Sequence, residues 1–182
     1  GLSINKSADN VSGLSIANKL LTQAQGLGQS IRNANDAIGL LQTASGALQE
    51  QENIASRLRV LSVQAANDTQ DADSRSYLEL EFQTLVSEFE DINSTTRFHS
   101  KKILDGSENA GIFVFHTGAY ANETQSIDFG SNTFADLFAL GGSNGSFPGL
   151  TTQANAESTI EGMDSIIIGL NTRRADVGAV QN

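Results

Sequence analysis

The sequence predicts a mainly α protein: an elongated antiparallel helical bundle of a long N-terminal helix, a second helix and a C-terminal helix, with a small β-hairpin region. Three observations carry this. From Leu14 to Asn67, roughly fifty residues run without a proline, and Ala17, Leu20, Ala24, Leu27, Ile31, Ala34, Ile38, Leu41 and Leu48 recur at steps of three and four or whole sevens. Two later segments repeat that spacing, at Leu78, Phe82, Leu85, Phe89 and Ile92 and at Ile160, Met163, Ile167, Leu170 and Val177. Between them the character changes, with a strand at Ile112–Phe115, turn residues at Gly118–Asn122 and a second strand at Gln125–Phe129.

The first element is expected over residues 11–67, preceded by a polar, irregular Gly1–Gly13. At about 1.5 Å per residue, fifty helical residues span about 75 Å, too long for the interior of one compact domain, so a rod is expected. Gly26, Gly28, Gly39 and Gly46 each cost about 1 kcal/mol relative to Ala in a helix. Either the helix breaks at Gly26–Gly28 or the glycines permit close approach of a neighbour; the heptad runs through them in phase, which favours continuity. Beyond Leu48 the apolar set becomes Ile54, Leu58, Leu61 and Ala65, so the buried face is expected to rotate near Gln49–Asn53.

Asp68-Thr69-Gln70-Asp71 reads as a turn, with Asp71 capping a helix that runs to Thr95 and Asp73 in its first turn. So short a connection makes this helix antiparallel to the end of the first. Asn132–Leu140 reads as a short helix, Gly141–Gly149 as a Gly/Ser loop, and residues 155–181 as the third long helix. The domain reading is one discontinuous domain over 1–182: an N-terminal helical segment over 1–104, a hairpin and short variable loop over 105–152, and a C-terminal helix over 153–182.

Composition narrows the function. The chain has 182 residues, 38% hydrophobic and 6% aromatic, with a single proline, Pro148, and no Trp or Cys. A core of Leu, Ile and Ala suits helices lying side by side, and thiol metal ligands and disulfides are excluded. The net charge is 11 − 21 = −10, with acid dense between Asp68 and Asp91. No basic patch is present to neutralise phosphates, so nucleic acid is not an expected partner. No apolar run approaches the ~18 residues that a membrane span needs. No signal peptide is visible, and the start at Gly1 and stop at Asn182 inside a helix read as a trimmed fragment.

No catalytic constellation is legible. His99 and His116 are the two histidines and form no HExxH; Glu88, Glu90 and Asp91 read as a solvated helix face; no GxGxxG or Walker pattern occurs. An enzyme, a cofactor and a metal are therefore not expected. Arg57-Leu58-Arg59-Val60-Leu61 alternates cations with apolar residues where the stripe is expected to rotate. It reads either as surface left for another chain or as an ordinary amphipathic helix with arginines snorkelling over leucines.

Several motifs carry a resemblance. Ser7-Ala8-Asp9-Asn10-Val11-Ser12-Gly13-Leu14, Arg32-Asn33-Ala34-Asn35-Asp36-Ala37-Ile38, Leu41-Gln42-Thr43-Ala44 and Gly46-Ala47-Leu48 resemble bacterial flagellin, as do Thr96–Leu104 and Gly118-Ala119-Tyr120-Ala121-Asn122-Glu123-Thr124. Arg174-Ala175-Asp176-Val177-Gly178-Ala179-Val180-Gln181-Asn182 is similar to the C-terminal signature of that family. The resemblance spans the chain except about Gly130–Thr152. It implies the helical D1 core of a flagellin with a hairpin beside it, the terminal D0 segments absent and the variable outer domain very short. It further implies a secreted, extracellular structural protein of the flagellum that serves motility. Its partners would be other filament subunits, the flagellar type III export apparatus and a chaperone. A chain without D0 is expected to stay soluble and mainly monomeric.

In that family a D1 surface also meets Toll-like receptor 5 of animal hosts, through a motif Gln-Arg-x-Arg-Glu-Leu-x-Val-Gln. Here the segment is Ser56-Arg57-Leu58-Arg59-Val60-Leu61-Ser62-Val63-Gln64, with Ser56 and Val60 departing from the family pattern. The resemblance thus implies Arg57, Leu61 and Gln64 on the first helix and Glu81 on the second as a receptor and protofilament interface. Arg57 and Leu61, four apart, are expected to project from one side, with Glu81 alongside. A hook–filament junction protein and a flagellin-like surface adhesin are the alternatives; the fit of the Arg32 and Arg174 motifs favours flagellin over the junction protein.

Overall fold

A computed structural model describes residues 11–140 and 147–181. The expected irregular segment before Val11 and most of the Gly141–Gly149 loop lie outside the described residues. The elements are α1 (Val11–Ala66), α2 (Ala72–Thr95), β1 (Arg97–Phe98), β2 (Lys101–Lys102), a 3-10 turn (Asn109–Gly111), β3 (Ile112–His116), β4 (Thr124–Asp128), α3 (Phe134–Ala139) and α4 (Gln153–Gln181). Helix α1 is continuous through Gly26 and Gly28, as the unbroken heptad required. Asp71 caps α2, its carboxylate accepting from the Ser74 amide at 2.7 Å. The chain forms two compact units: one of residues up to Gly39 with Val114–Ser126, the other of Leu40–Phe113 with the residues from Ile127 onward.

In the first unit, the turn between β3 and β4 packs on α1. Ser30 Oγ shares its proton between the Gly26 carbonyl at 3.0 Å and the Gly118 carbonyl at 2.6 Å, and Asn33 Nδ2 donates to the His116 carbonyl at 2.9 Å. A Cβ on Gly26 would sit 3.3 Å from the Ala119 Cβ, so the missing side chain lets the turn approach the helix. This covered face is not the expected stripe: Ala17, Leu20, Ala24, Leu27, Ile31 and Ile38 are exposed and Ala34 is half-buried. A helical period states which face can be buried; burial requires a neighbour on that face, and within this unit the hairpin turn covers another one.

In the second unit α1, α2 and α4 form the bundle. Arg57 meets Glu81, Gln51 Nε2 donates to the Phe89 carbonyl, and Arg75 Nε donates to the Ala65 carbonyl, so positions on α2 rise as those on α1 fall. Arg59 with Asp164 and Glu52 with Arg174 give the same antiparallel relation between α1 and α4. Leu41 and Phe82 are buried and Ile167 is half-buried, so none of the three is exposed. On α4 the buried positions are Ala156, Thr159, Gly162, Met163, Ile166, Leu170 and Val177, while the expected Ile160 is half-buried.

The expected rotation of the α1 stripe does not occur. Ala37, Leu41, Ala44, Leu48, Gln51, Ala55, Leu58, Ser62 and Ala65 are all buried at alternating steps of four and three. The heptad therefore continues in phase, with two polar residues in core positions. Ser62 Oγ satisfies itself on the Leu58 carbonyl at 2.8 Å, and Gln51 reaches α2. A pattern of apolar residues alone skips these positions and so drifts.

Two carboxylates on α2 hold the segment between β4 and α4. Glu90 Oε1 accepts from the Phe134 amide at the start of α3 at 2.6 Å, and Glu79 Oε2 accepts from the Leu150 amide at 2.5 Å. Between them, Phe82 stacks on Phe147 with centroids 4.5 Å apart and meets Phe134 edge-on at 6.2 Å. Gly162 on α4 lies under Phe138, whose ring an added Cβ would enter.

Candidate functional site

The expected interface residues lie on α1 and α2 of the second unit. Arg57 Nη2 donates to Glu81 Oε1 at 2.6 Å and its Nε to the same oxygen at 3.2 Å, with the two side chains 56% and 45% exposed. Gln64 is exposed as well. These three are brought to the surface around the α1–α2 seam. Leu61 is not: it is 1% exposed and belongs to the core. The expectation of an exposed apolar anchor four residues after Arg57 is corrected by the phase of the heptad, which turns Leu58, Leu61 and Ala65 inward together. Val60 and Val63 are the exposed apolar side chains of that segment.

The two arginines of the segment serve different neighbours. Arg57 turns to α2, and Arg59 turns to α4, where Nε donates to Asp164 Oδ1 at 2.6 Å. Hydrogen bonding to Asp164, reinforced by its charge, raises the Arg59 pKa above its ordinary value. Nothing in the sequence pairs Arg59 with Asp164, 105 residues away; only the antiparallel packing of α4 does. The sequence also gives little sign that Tyr77 and Leu80 lie exposed on α2, beyond their falling outside the Leu78–Phe82 stripe.

His99 and His116 belong to different units and are both exposed. Among the described residues no three His, Cys, Asp or Glu side chains are grouped to hold a metal, and no helix is long and apolar enough to cross a membrane. The acidic groups with depressed pKa values have structural partners. Asp136 is held below its usual range by the Ser131 and Thr133 hydroxyls, and Asp71 by Ser74. For Asp105, burial pushes upward, but the Ser107 hydroxyl and amide and the Lys102 ammonium outweigh it.

These features define a mainly α bundle of long helices with an exposed ion pair and exposed valines. The chain belongs to the bacterial flagellin family: the model of the bacterial flagellin N-terminal helical region matches residues 1–109. The chain is 37% identical over its whole length to a flagellin of Halalkalibacterium halodurans, of which it spans 65%, and 38% identical over 97% of its length to flagellin B of Helicobacter pylori, of which it spans 33%. It thus covers from about a quarter to two thirds of the curated relatives it matches. Its fold is similar to that of the crystal structure of Bacillus cereus flagellin, with a TM-score of 0.69, 28% identity and 81% of each chain covered. The family is one of structural proteins, not enzymes.

Proposed function

We propose that the whole protein is the structural subunit of a flagellar filament, assembled outside the cell for motility. The observation that carries this is the match of residues 1–109 to the flagellin N-terminal region, joined to similarity over the entire chain to a flagellin. The discontinuous helical chain would be the D1 core of that subunit, with export through the flagellar type III apparatus and a dedicated chaperone. Electron microscopy of the full-length protein after polymerisation tests the reading. Long filaments are expected; short caps at a junction would replace it with a hook–filament junction protein, and no polymer at all would remove it.

We further propose that the Arg57–Glu81 face, with Gln64 and the exposed Val60 and Val63, is both a contact with a neighbouring subunit and a surface readable by Toll-like receptor 5 on free subunits. The exposed, geometrically satisfied ion pair beside loose valines supports this. Leu61 enters as the core residue that holds the face in place. Arg57→Ala is expected to weaken receptor binding by about 1–3 kcal/mol, as for an arginine hot spot. Val60→Glu, which restores the family carboxylate, is expected to strengthen it. Titration of the receptor ectodomain checks both, and unchanged affinity in Arg57→Ala would remove this face from receptor recognition.

A further inference from the structure

The second unit carries an apolar groove away from the Arg57–Glu81 face. It has a volume of about 420 Å³ and is lined by Leu140, Ser165, Ile168, Gly169, Thr172 and Arg173, at the end of α3 and along α4. Leu140 and Ile168 are 67% and 66% exposed, large apolar side chains left open to water. The hydroxyls of the lining are already satisfied within α4: Ser165 Oγ donates to the Glu161 carbonyl at 3.1 Å and Thr172 Oγ1 to the Ile168 carbonyl at 2.9 Å. That leaves Arg173 as the one charged group of the lining. Its Nη1 donates to the Asp128 carbonyl at 3.2 Å, and it takes part in no ion pair among the described residues, whereas Arg57, Arg59 and Arg174 each have a carboxylate. The groove therefore offers apolar surface beside a guanidinium without a counter-charge.

A surface of the opposite character lies on α2. Asp73, Tyr77, Leu80, Thr84, Glu88 and Asp91 are spaced three and four apart, which aligns them along one side of the helix, and all are exposed. Tyr77 and Leu80, at 75% and 68%, are among the most exposed large apolar side chains of the chain. Acid flanks them on both sides, and none of the three carboxylates takes part in an ion pair among the described residues. The single cation of α2, Arg75, turns away to donate to the Ala65 and Asn67 carbonyls. The valine face of α1 matches the groove less well, since that segment carries the cation Arg57 and no acid between Asn53 and Asn67.

We infer that the α3–α4 groove receives the Tyr77–Leu80 ridge of a second copy of this chain, with Arg173 meeting Glu88 or Asp91 of that copy. This rests on the filament reading and deepens it by naming two faces that meet. The contact joins unlike surfaces, so each copy keeps one free groove and one free ridge, the arrangement that propagates from copy to copy and forms an open polymer where the rotation does not close into a ring. Apolar side chains supply the burial, and the charge pair sets which copy face is accepted.

The test uses the full-length protein. Leu80→Cys and Ile168→Cys replace exposed side chains in a chain without cysteine. Filaments grown from an equal mixture of the two single variants and treated with a short bis-maleimide should give covalent dimers well above those from either variant alone, and the double variant should give a ladder. Filaments that form but give no more dimer from the mixture than from the single variants overturn the proposal. Independently, Arg173→Glu should raise the concentration needed for polymerisation about tenfold or more, since like charges would then face each other. Adding Glu88→Arg and Asp91→Arg should bring it back. Polymerisation of Arg173→Glu at the parent concentration also overturns the proposal; should that variant fail to fold, the crosslinking result decides. If the parent protein itself forms no polymer, the filament reading fails first and this contact with it.

Discussion

Phe82→Ala should be the most damaging single truncation on α2. Phe82 is fully buried, stacked on Phe147 at 4.5 Å and edge-on to Phe134 at 6.2 Å, so its removal opens a gap beside Phe134, the centre of an aromatic cluster. A buried Phe→Ala change costs about 3–5 kcal/mol through lost transfer energy and the cavity left behind. Each 1 kcal/mol moves the melting temperature by about 2–4 °C for a chain of this size, so a drop of roughly 6–20 °C is expected. The damage should also be directional. Phe147 lies three residues before Leu150, whose amide is held by Glu79, so hydrogen exchange at Leu150 should accelerate as the cluster loosens. Glu88→Ala, on the exposed side of the same helix, should stay within about 0.5 kcal/mol. Thermal and urea unfolding of the two variants beside the parent measure the difference. Comparable losses for both, or a Phe82→Ala cost below about 1 kcal/mol, would mean that the buried face of α2 is misassigned.

Three further outcomes follow from the packing. Gly162→Ala should destabilise by about 1–3 kcal/mol because its methyl group would enter the Phe138 ring, whereas Gly46→Ala, with open space around it, should stabilise by up to about 1 kcal/mol; chemical unfolding separates the two signs. Gln51→Leu should be neutral or stabilising, because Gln51 is buried with Oε1 unpartnered, while Gln51→Ala should destabilise; if Gln51→Leu costs as much as Gln51→Ala, the glutamine is not filling an apolar-like core position. Asp71, Asp105 and Asp136 have folded pKa values below their unfolded ones, so they stabilise the fold fully above the ordinary carboxylate range, and that contribution is lost as pH falls through the lowered values. Asp136→Asn should accordingly flatten the acid limb of the stability–pH curve, and an unchanged acid limb would show that its two hydroxyl partners contribute nothing.

The local character of the chain is written in the sequence. A proline-free heptad, a short apolar run followed by turn residues, and an aspartate ahead of an acidic first turn are enough to place α1, the β3–β4 hairpin, α2 and its cap, because these depend on neighbours in the chain. The two-residue strands β1 and β2 escape because so short a pair has no period to read. Family motifs likewise point to Arg57, Gln64 and Glu81, and antiparallel packing joins Arg57 to Glu81.

What the tertiary structure alone decided is which helical faces find a partner. The apolar residues from Ala17 to Ile31 share the heptad with Leu41 and Leu48, yet only the latter are covered. Gln51 sits in the core because the Phe89 carbonyl of α2 is available to it, whereas Ser62 needs only the Leu58 carbonyl of its own helix. Leu61 turned inward with Leu58 and Ala65, as the apolar pattern placed it and against the interface position that the family motif implied. Glu90 is one of the charges that read as a solvated helix face, until the Phe134 amide arrives beside it. Periodicity is a property of one helix, whereas burial and hydrogen-bond satisfaction belong to the pair of surfaces that meet.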